Sequence, residues 1–244
     1  MKPPGCYVRA LLKLSGDAFA PEGAKGIDER QVAYITQEVV RGHEVCPALA
    51  IVVGGGNILR GAQFRPEGAA RIRADYAGMA ATLINALVLQ DSLESASAPC
   101  RLYSALPVGG AAEAFHVEHC RADLDEGRIV ILAGGTGSPL FTTDTAAALR
   151  AIQLGAQVLL KASRVHGIHS ADPERQADAE LFRCLTYEEV IRRGLAVMDL
   201  CAVAFCMEHR LPVRVFNFKV KGNIRRALMG KLVGTLVGSQ EDVH

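Results

Sequence analysis

Tryptophan is absent from the 244 residues, and aromatic residues make up only 5% of them. Stacking on unpaired bases therefore has few side chains to work with, so single-stranded nucleic acid is not expected as the main partner. Neither charge is in excess: 27 Lys and Arg stand against 26 Asp and Glu, a formal net charge of +1. That leaves no electrostatic footprint for a polynucleotide or an anionic membrane. No 18-residue apolar stretch is evident, so no transmembrane helix is expected. Arg9 and Lys13 interrupt the leucines of MKPPGCYVRALLKLSG, so no signal peptide is expected either. The seven cysteines (Cys6, Cys46, Cys100, Cys120, Cys184, Cys201 and Cys206) are scattered, with no CxxC and no Cys/His group at zinc spacing. They read as small apolar filler in a reducing cytoplasm, and no protein-held metal is expected.

Three signatures are missing as well. GxxxxGK[ST] does not occur, which excludes a P-loop site. Gly54-Gly55-Gly56 is followed at the needed offset by Ile58 or Leu59, so GxGxxG fails and a dehydrogenase is disfavoured. GxSxG is absent, leaving no hydrolase nucleophile elbow.

What is present is an alternation of short apolar runs with helical patterns. Strands are expected at 7–14, 49–53, 101–104, 129–133, 158–162 and 213–216, with 235–237 as a closing edge strand. A helix is expected at 28–41, where Asp28 and Gln31 stand at capping-box spacing and Val32, Ile35 and Val39 share a face. Others are expected near 71–92, 144–154, 186–193, 197–209 and 222–229. Ala, Met and Leu occupy several faces of the 71–92 segment, which predicts deep burial. Strands alternating with helices imply an α/β three-layer sandwich with a central, mainly parallel sheet. No Pro/Gly/Ser linker and no internal repeat divides the chain, so one domain, 1–244, with two lobes is expected.

In an open sheet of this kind, ligands bind beyond the carboxyl ends of the strands. Three strands end there in glycine-bearing turns: LLKLSGDA, IVVGGGNILRG and VILAGGTGSPLFTTD. Glycines let backbone N–H groups approach an anion, and a following helix N-terminus adds a favourable dipole. Three such turns suit a ligand with several phosphates, or two phosphorylated ligands. Charges gather at the same edge: Lys13, Arg60, Lys161 and, where the third turn enters its helix, Asp144. Phosphoryl transfer needs cations on the equatorial oxygens and a carboxylate to orient them, and no covalent nucleophile. Each feature alone has a plainer reading as a solvated charge, a simple turn or a helix cap. Their coincidence on one edge is what favours phosphoryl transfer.

At these residues the sequence resembles the bacterial uridylate (UMP) kinases of the amino-acid-kinase superfamily. The matching segments run in order: LLKLSG, GGGNILRG, ADYAGMAATLINAL, GTGSPLFTTDTAAALRA, LLKASRVHGIHSADP, LTYEEV, MDL, LPVRVFN and GTLV. The resemblance implies a transfer from ATP, with Mg²⁺, to UMP. It assigns Lys13, Leu14, Ser15, Gly16, Gly56, Arg60, Ser163, His169 and Asp172 to ATP. It assigns Gly55, Asp75, Thr136, Gly137, Ser138, Pro139, Leu140, Phe141, Thr142 and Thr143 to UMP, with Asp75 on the ribose. Lys13, Asp144 and Lys161 become the catalytic set, and Asp199 a further carboxylate of the site. A cytoplasmic homohexamer is implied too, with no nucleic-acid or membrane partner.

The chain departs from the family pattern in places. LSGDA replaces LSGE, Val165-His166-Gly167 replaces VDG, His169 stands where an aromatic residue is usual, and Ser138 stands where Asn is common. An imidazole still stacks on adenine, so ATP binding is expected to be weakened rather than lost. Many family members carry an effector site for GTP, with basic residues where this chain has Gln90 and Glu94; Arg101 and Arg128 remain. Little or no GTP activation is therefore expected. UTP, by occupying the UMP site, is a plausible inhibitor. The rival readings are a kinase of the same fold acting on a carboxylate or carbamate, and a non-catalytic nucleotide- or anion-binding protein.

Overall fold

Period-two alternation decides which way each strand faces. Along β1 (Arg9–Leu14), Ala10, Leu12 and Leu14 enter one apolar cluster while Leu11 enters another. Along β2 (Ala48–Val53) and β5 (Ile129–Ala133), Leu49, Ile51, Ile129 and Ile131 face the first cluster, and Ala50, Val52, Val130 and Leu132 the second. Strands buried on both faces are the mark of a sheet covered twice. The computed structural model describes residues 5–59, 67–171, 176, 179–195 and 197–243.

Among those residues nine strands form one sheet. The others are β3 (Cys100–Ser104), β4 (Glu113–Ala114), β6 (Leu159–Ser163), β7 (Cys184–Thr186), β8 (Val213–Asn217) and β9 (Thr235–Gly238). Their order is β4-β3-β5-β2-β1-β6-β8-β9-β7, parallel throughout except for the antiparallel β8–β9 pair. Helices α1 (Glu29–His43), α2 (Gly68–Ser95) and α7 (Asn223–Leu228) cover the first face. Helices α3 (Val117–Asp125), α4 (Thr143–Leu154), α5 (Tyr187–Arg193) and α6 (Leu200–Glu208) cover the second. The expected three-layer α/β sandwich is the observed one.

Several boundaries move. The first strand begins at Arg9 rather than at position 7, and α2 extends past both expected ends. At α1 only half of the capping box forms. Asp28 accepts from the Gln31 backbone N–H at 3.0 Å, but its own N–H donates to the Phe19 carbonyl. β9 is not an edge strand: it lies between β8 and β7, which closes the sheet instead. The sequence reading missed β4, α3 and β7, all short or weakly patterned.

α2 corrects two expectations. By length and composition it is apolar enough to cross a membrane, contrary to the expectation that no such stretch exists. Its Thr82, Asn85, Ala86, Leu89 and Leu93 are buried among protein groups, as suits a core helix. Burial is one-sided, however: Tyr76, Ile84 and Leu87 are exposed.

Candidate active site

β1 and β6 pair in parallel with Lys13 opposite Lys161. Both side chains therefore leave the sheet on the same face, that of α4. Thr142 caps α4, accepting from the N–H groups of Asp144 at 3.0 Å and Thr145 at 3.3 Å. Asp144, in the first turn, meets both ammonium groups: Lys13 Nζ lies 2.8 Å from one carboxylate oxygen and Lys161 Nζ 2.7 Å from the other. Lys161 also donates to the Val197 carbonyl. Burial pushes the Asp144 carboxyl up, but the two lysines outweigh it and hold the group below the usual carboxylate range. Burial draws the Lys161 ammonium below the ordinary lysine value, against the opposing pull of Asp144.

Lys13 opens into a cavity of about 380 Å³ shared with Ser15, Gly16, Gly54, Gly55, Gly56, Arg71, Asp75, Thr82, Gly135, Phe141, Thr142 and Thr143. That volume suits a small-molecule ligand. The backbone packs tightly at its base. A Cβ on Gly16 would stand 2.4 Å from Asn57 Oδ1, and one on Gly55 would stand 2.8 Å from the Thr82 backbone N on α2.

The long turn between β5 and α4 is fixed in place. The Gly134 N–H donates to Thr82 Oγ1 at 2.8 Å, and Thr136 Oγ1 both donates to the Ser138 carbonyl and accepts from the Ser138 N–H. Leu140 adopts φ +72°, unusual for a residue with a side chain, and its N–H donates to Asp75 at 3.0 Å. The Arg71 Nε–H donates to both oxygens of the same carboxylate, at 2.8 and 2.9 Å. Asp199 caps α6 through the Ala202 N–H and also accepts from the hydroxyls of Thr142 and Thr145, so it joins α6 to the start of α4.

The described geometry can thus cradle phosphate oxygens and hold two cations on one carboxylate. A family model described as the amino acid kinase family matches residues 9–217. The chain belongs to the amino acid kinase family. Among that family it is 43% identical to the uridylate kinase of Coxiella burnetii over 96% of this chain and 97% of the relative. It is 45% identical to the uridylate kinase of Xanthomonas campestris pv. campestris over 95% and 96%. The crystal structure of UMP kinase from Bacillus anthracis superposes with a TM-score of 0.92 at 34% identity, covering 96% of this chain and 97% of that one.

Of the residues expected in this amino acid kinase's site, Lys13, Ser15, Gly16, Gly55, Gly56, Asp75, Phe141, Thr142 and Thr143 line this same cavity. Asp144 and Lys161 stand behind Lys13. The Leu14 side chain is in the core, and only its carbonyl, accepting from the Gly54 N–H at 2.8 Å, faces the glycine turn. Thr136, Gly137, Ser138, Pro139 and Leu140 shape the turn without lining the cavity. Ser163 ends β6 beside Asn217, and His169 bridges to Leu181; neither lines the cavity. Arg60 and Asp172 lie outside the described residues. Sequence reasoning missed Arg71 and Thr82. Both were within reach, one turn before and two turns after Asp75 on the same helical face.

Proposed function

We propose that the chain transfers the γ-phosphoryl group of ATP to UMP, giving ADP and UDP, within one domain, 1–244, whose lobes carry the acceptor and ATP sides. The observation that carries this reading is Lys13, tied through Asp144 to Lys161, opening into the same cavity as Asp75. A phosphate monoester loses its second proton near pH 6 (about), so a UMP phosphate oxygen is already a nucleophile at neutral pH and needs no general base. That oxygen bonds to the γ-phosphorus as the bond to the β,γ-bridging oxygen breaks, its electrons leaving with ADP. Lys13 and Lys161 offset charge on the transferred group, and Asp144 holds the two mutually repelling ammonium groups in place. Backbone N–H groups about Gly16 and Gly56 receive ATP phosphates, with Arg60 on the ATP side, and Ser163, His169 and Asp172 receive its nucleoside. Gly55 and residues 136–143 enclose UMP, and Asp75 accepts from its ribose.

Among the described residues no group of three His, Cys, Asp or Glu side chains is gathered to hold a metal on its own. The resemblance implies magnesium, which would arrive on the phosphates of ATP and offset their charge. The resemblance also supports a cytoplasmic homohexamer, and the exposed Tyr76, Ile84 and Leu87 of α2 offer an apolar face for self-association.

An ADP-release assay with Mg·ATP over UMP, CMP, dTMP and AMP tests the reading. UMP should exceed each of the others by at least about tenfold in kcat/KM, the discrimination of one or more well-placed contacts. Turnover only with a carboxylate or carbamate acceptor would favour the first rival, and ATP binding without turnover the second.

A further inference from the structure

Two buried asparagines outside the nucleotide-contact set face each other beside the cavity. Asn57 follows the Gly54–Gly56 turn, Asn85 lies on α2, and both are essentially inaccessible. Their amides form a reciprocal pair: Asn85 Nδ2 donates to Asn57 Oδ1 at 2.7 Å, and Asn57 Nδ2 donates to Asn85 Oδ1 at 3.1 Å. Asn57 Nδ2 also donates to the Gly26 carbonyl at 2.8 Å, and Asn85 Nδ2 to the Gly54 carbonyl at 2.7 Å. Each amide N–H thus has its own acceptor, as buried polar groups require. A primary amide offers two donors and an acceptor on one rigid plane, so the pair fixes spacing as well as contact.

What it spaces is the gap across which the phosphoryl group must pass. Asn57 Oδ1 occupies the space where Gly16 lacks a side chain, and the Gly26 N–H returns a bond to the Asn57 carbonyl at 2.9 Å. One end of the pair therefore rests against the turn assigned to ATP phosphates. The other end is on the helix that carries Asp75 and Thr82, and Thr82 in turn holds the acceptor loop at Gly134. We propose that the Asn57–Asn85 amide pair is a positioning device for the transfer step. It sets the separation of donor and acceptor without touching either nucleotide. The inference rests on the assignment of the Gly16 turn to ATP and of α2 to UMP. Because a displacement of about 1 Å between reacting groups lowers a rate by on the order of 10²-fold, the pair acts on kcat.

The test compares Asn57→Leu, Asn85→Leu and the double substitution. Each single change strands the partner's buried amide and one backbone carbonyl, Gly26 for Asn57→Leu and Gly54 for Asn85→Leu, so both singles should melt lower than the parent, whereas the double strands the two carbonyls but no amide and should lose less than the sum of the singles. All three should retain KM for ATP and for UMP within about threefold while kcat falls about 10²-fold. With the acceptor misplaced, water should compete for the γ-phosphorus, giving ADP and inorganic phosphate, so the ADP:UDP ratio should rise above one. Should the leucine variants not fold, Asn85→Ser makes the same comparison with a smaller polar group. Recovery of kcat in the double variant along with its melting temperature would overturn the proposal and leave a purely structural role. So would an unchanged ADP:UDP ratio, or a rise in either KM that accounts for the whole loss. Asp75→Asn in the parent background separates the underlying assignment. If it leaves KM for UMP unchanged the assignment itself fails, while its expected behaviour beside fully active asparagine variants defeats the positioning role alone.

Discussion

Two ammonium groups on one buried carboxylate make Asp144 the electrostatic hinge of the site. Placing Lys13 and Lys161 side by side on neighbouring strands is unfavourable unless an anion sits between them, and Asp144 is that anion. The cluster gives each titration a direction. The Asp144 carboxyl is depressed, so its contribution to stability is present above its ordinary value of 3.8 and is lost as pH falls through the still lower folded value. The Lys161 ammonium is depressed from 10.5, so in the window below that pH the folded state binds fewer protons than the unfolded one. Stability therefore rises with pH across that window while the cation proposed to act in transfer disappears. The alkaline limb of kcat should fall at lower pH than an ordinary lysine allows. Lys161→Arg, which stays charged, should move that limb upward or remove it; an unmoved limb in a kcat–pH profile would take Lys161 out of the transfer step. Asp75 makes a second expectation at this scale. Its carboxylate already accepts from Arg71 and from the Leu140 N–H, which fixes the orientation that the proposed ribose contact would use. Asp75→Asn should raise KM for UMP by about 10- to 150-fold, the worth of a charge-assisted hydrogen bond of about 1.5–3 kcal/mol, and leave KM for ATP nearly unchanged. Steady-state kinetics with each nucleotide varied in turn decides it, and parallel losses for both would give Asp75 a role in the fold instead.

Between elements, the decisive contacts are approaches of backbone to backbone. A Cβ on Gly55 would meet the Thr82 N, the Ala81 Cβ and the Gly78 carbonyl, all within 2.8–2.9 Å. No flexible side-chain tip is there to yield. Gly55→Ala should therefore push the turn off α2, destabilise the fold by about 1–3 kcal/mol and reduce transfer to UMP more than ATP binding. Thermal denaturation beside kinetics would show it, and a fully active, equally stable variant would contradict the packing. The glycine turns, both lysines and Asp144 were legible in the sequence because strand periodicity brings residues at equivalent ends to one edge. β2 and β5 were legible as continuous apolar runs, and β6 as a short apolar run interrupted by Lys161. α3 was not: Val117–Asp125 carries Glu118, His119, Arg121, Asp123 and Asp125, and only Cys120, Asp123 and Leu124 are buried. β4, at two residues, is too short for any period to register. The Asn57–Asn85 pair was illegible because partnership across 28 positions is created by packing, and neither residue carries a local signal.

For the whole molecule, the surface expected to take an effector is already neutralised by the chain itself. Gln90 donates to Glu94 at 2.9 Å, Arg101 pairs with Glu113 at 3.0 Å, and Arg128 pairs with Asp123 at 2.6 Å. A triphosphate would have to displace these carboxylates and then face Glu94, with neither Gln90 nor Glu94 supplying a cation. Rates at fixed ATP and UMP should accordingly change little as GTP is titrated to millimolar concentration, because only an unequal affinity for two states shifts their populations. Several-fold activation at micromolar GTP would show that Arg101 and Arg128 suffice. The antiparallel β8–β9 pair has a consequence of another kind. β7 leaves the ribosome well before β9, yet the two lie side by side with β9 wedged against β8. While the chain is being made, β8 therefore waits with an open edge and β7 has no neighbour to join. β7, whose only strand neighbour among the described residues is β9, can therefore join the sheet only once Thr235–Gly238 has paired with β8. For that interval the nascent protein carries unpaired strand edges, the feature that most invites association with another chain. The time β8 waits for Thr235–Gly238 is therefore the time those edges stay open to another chain.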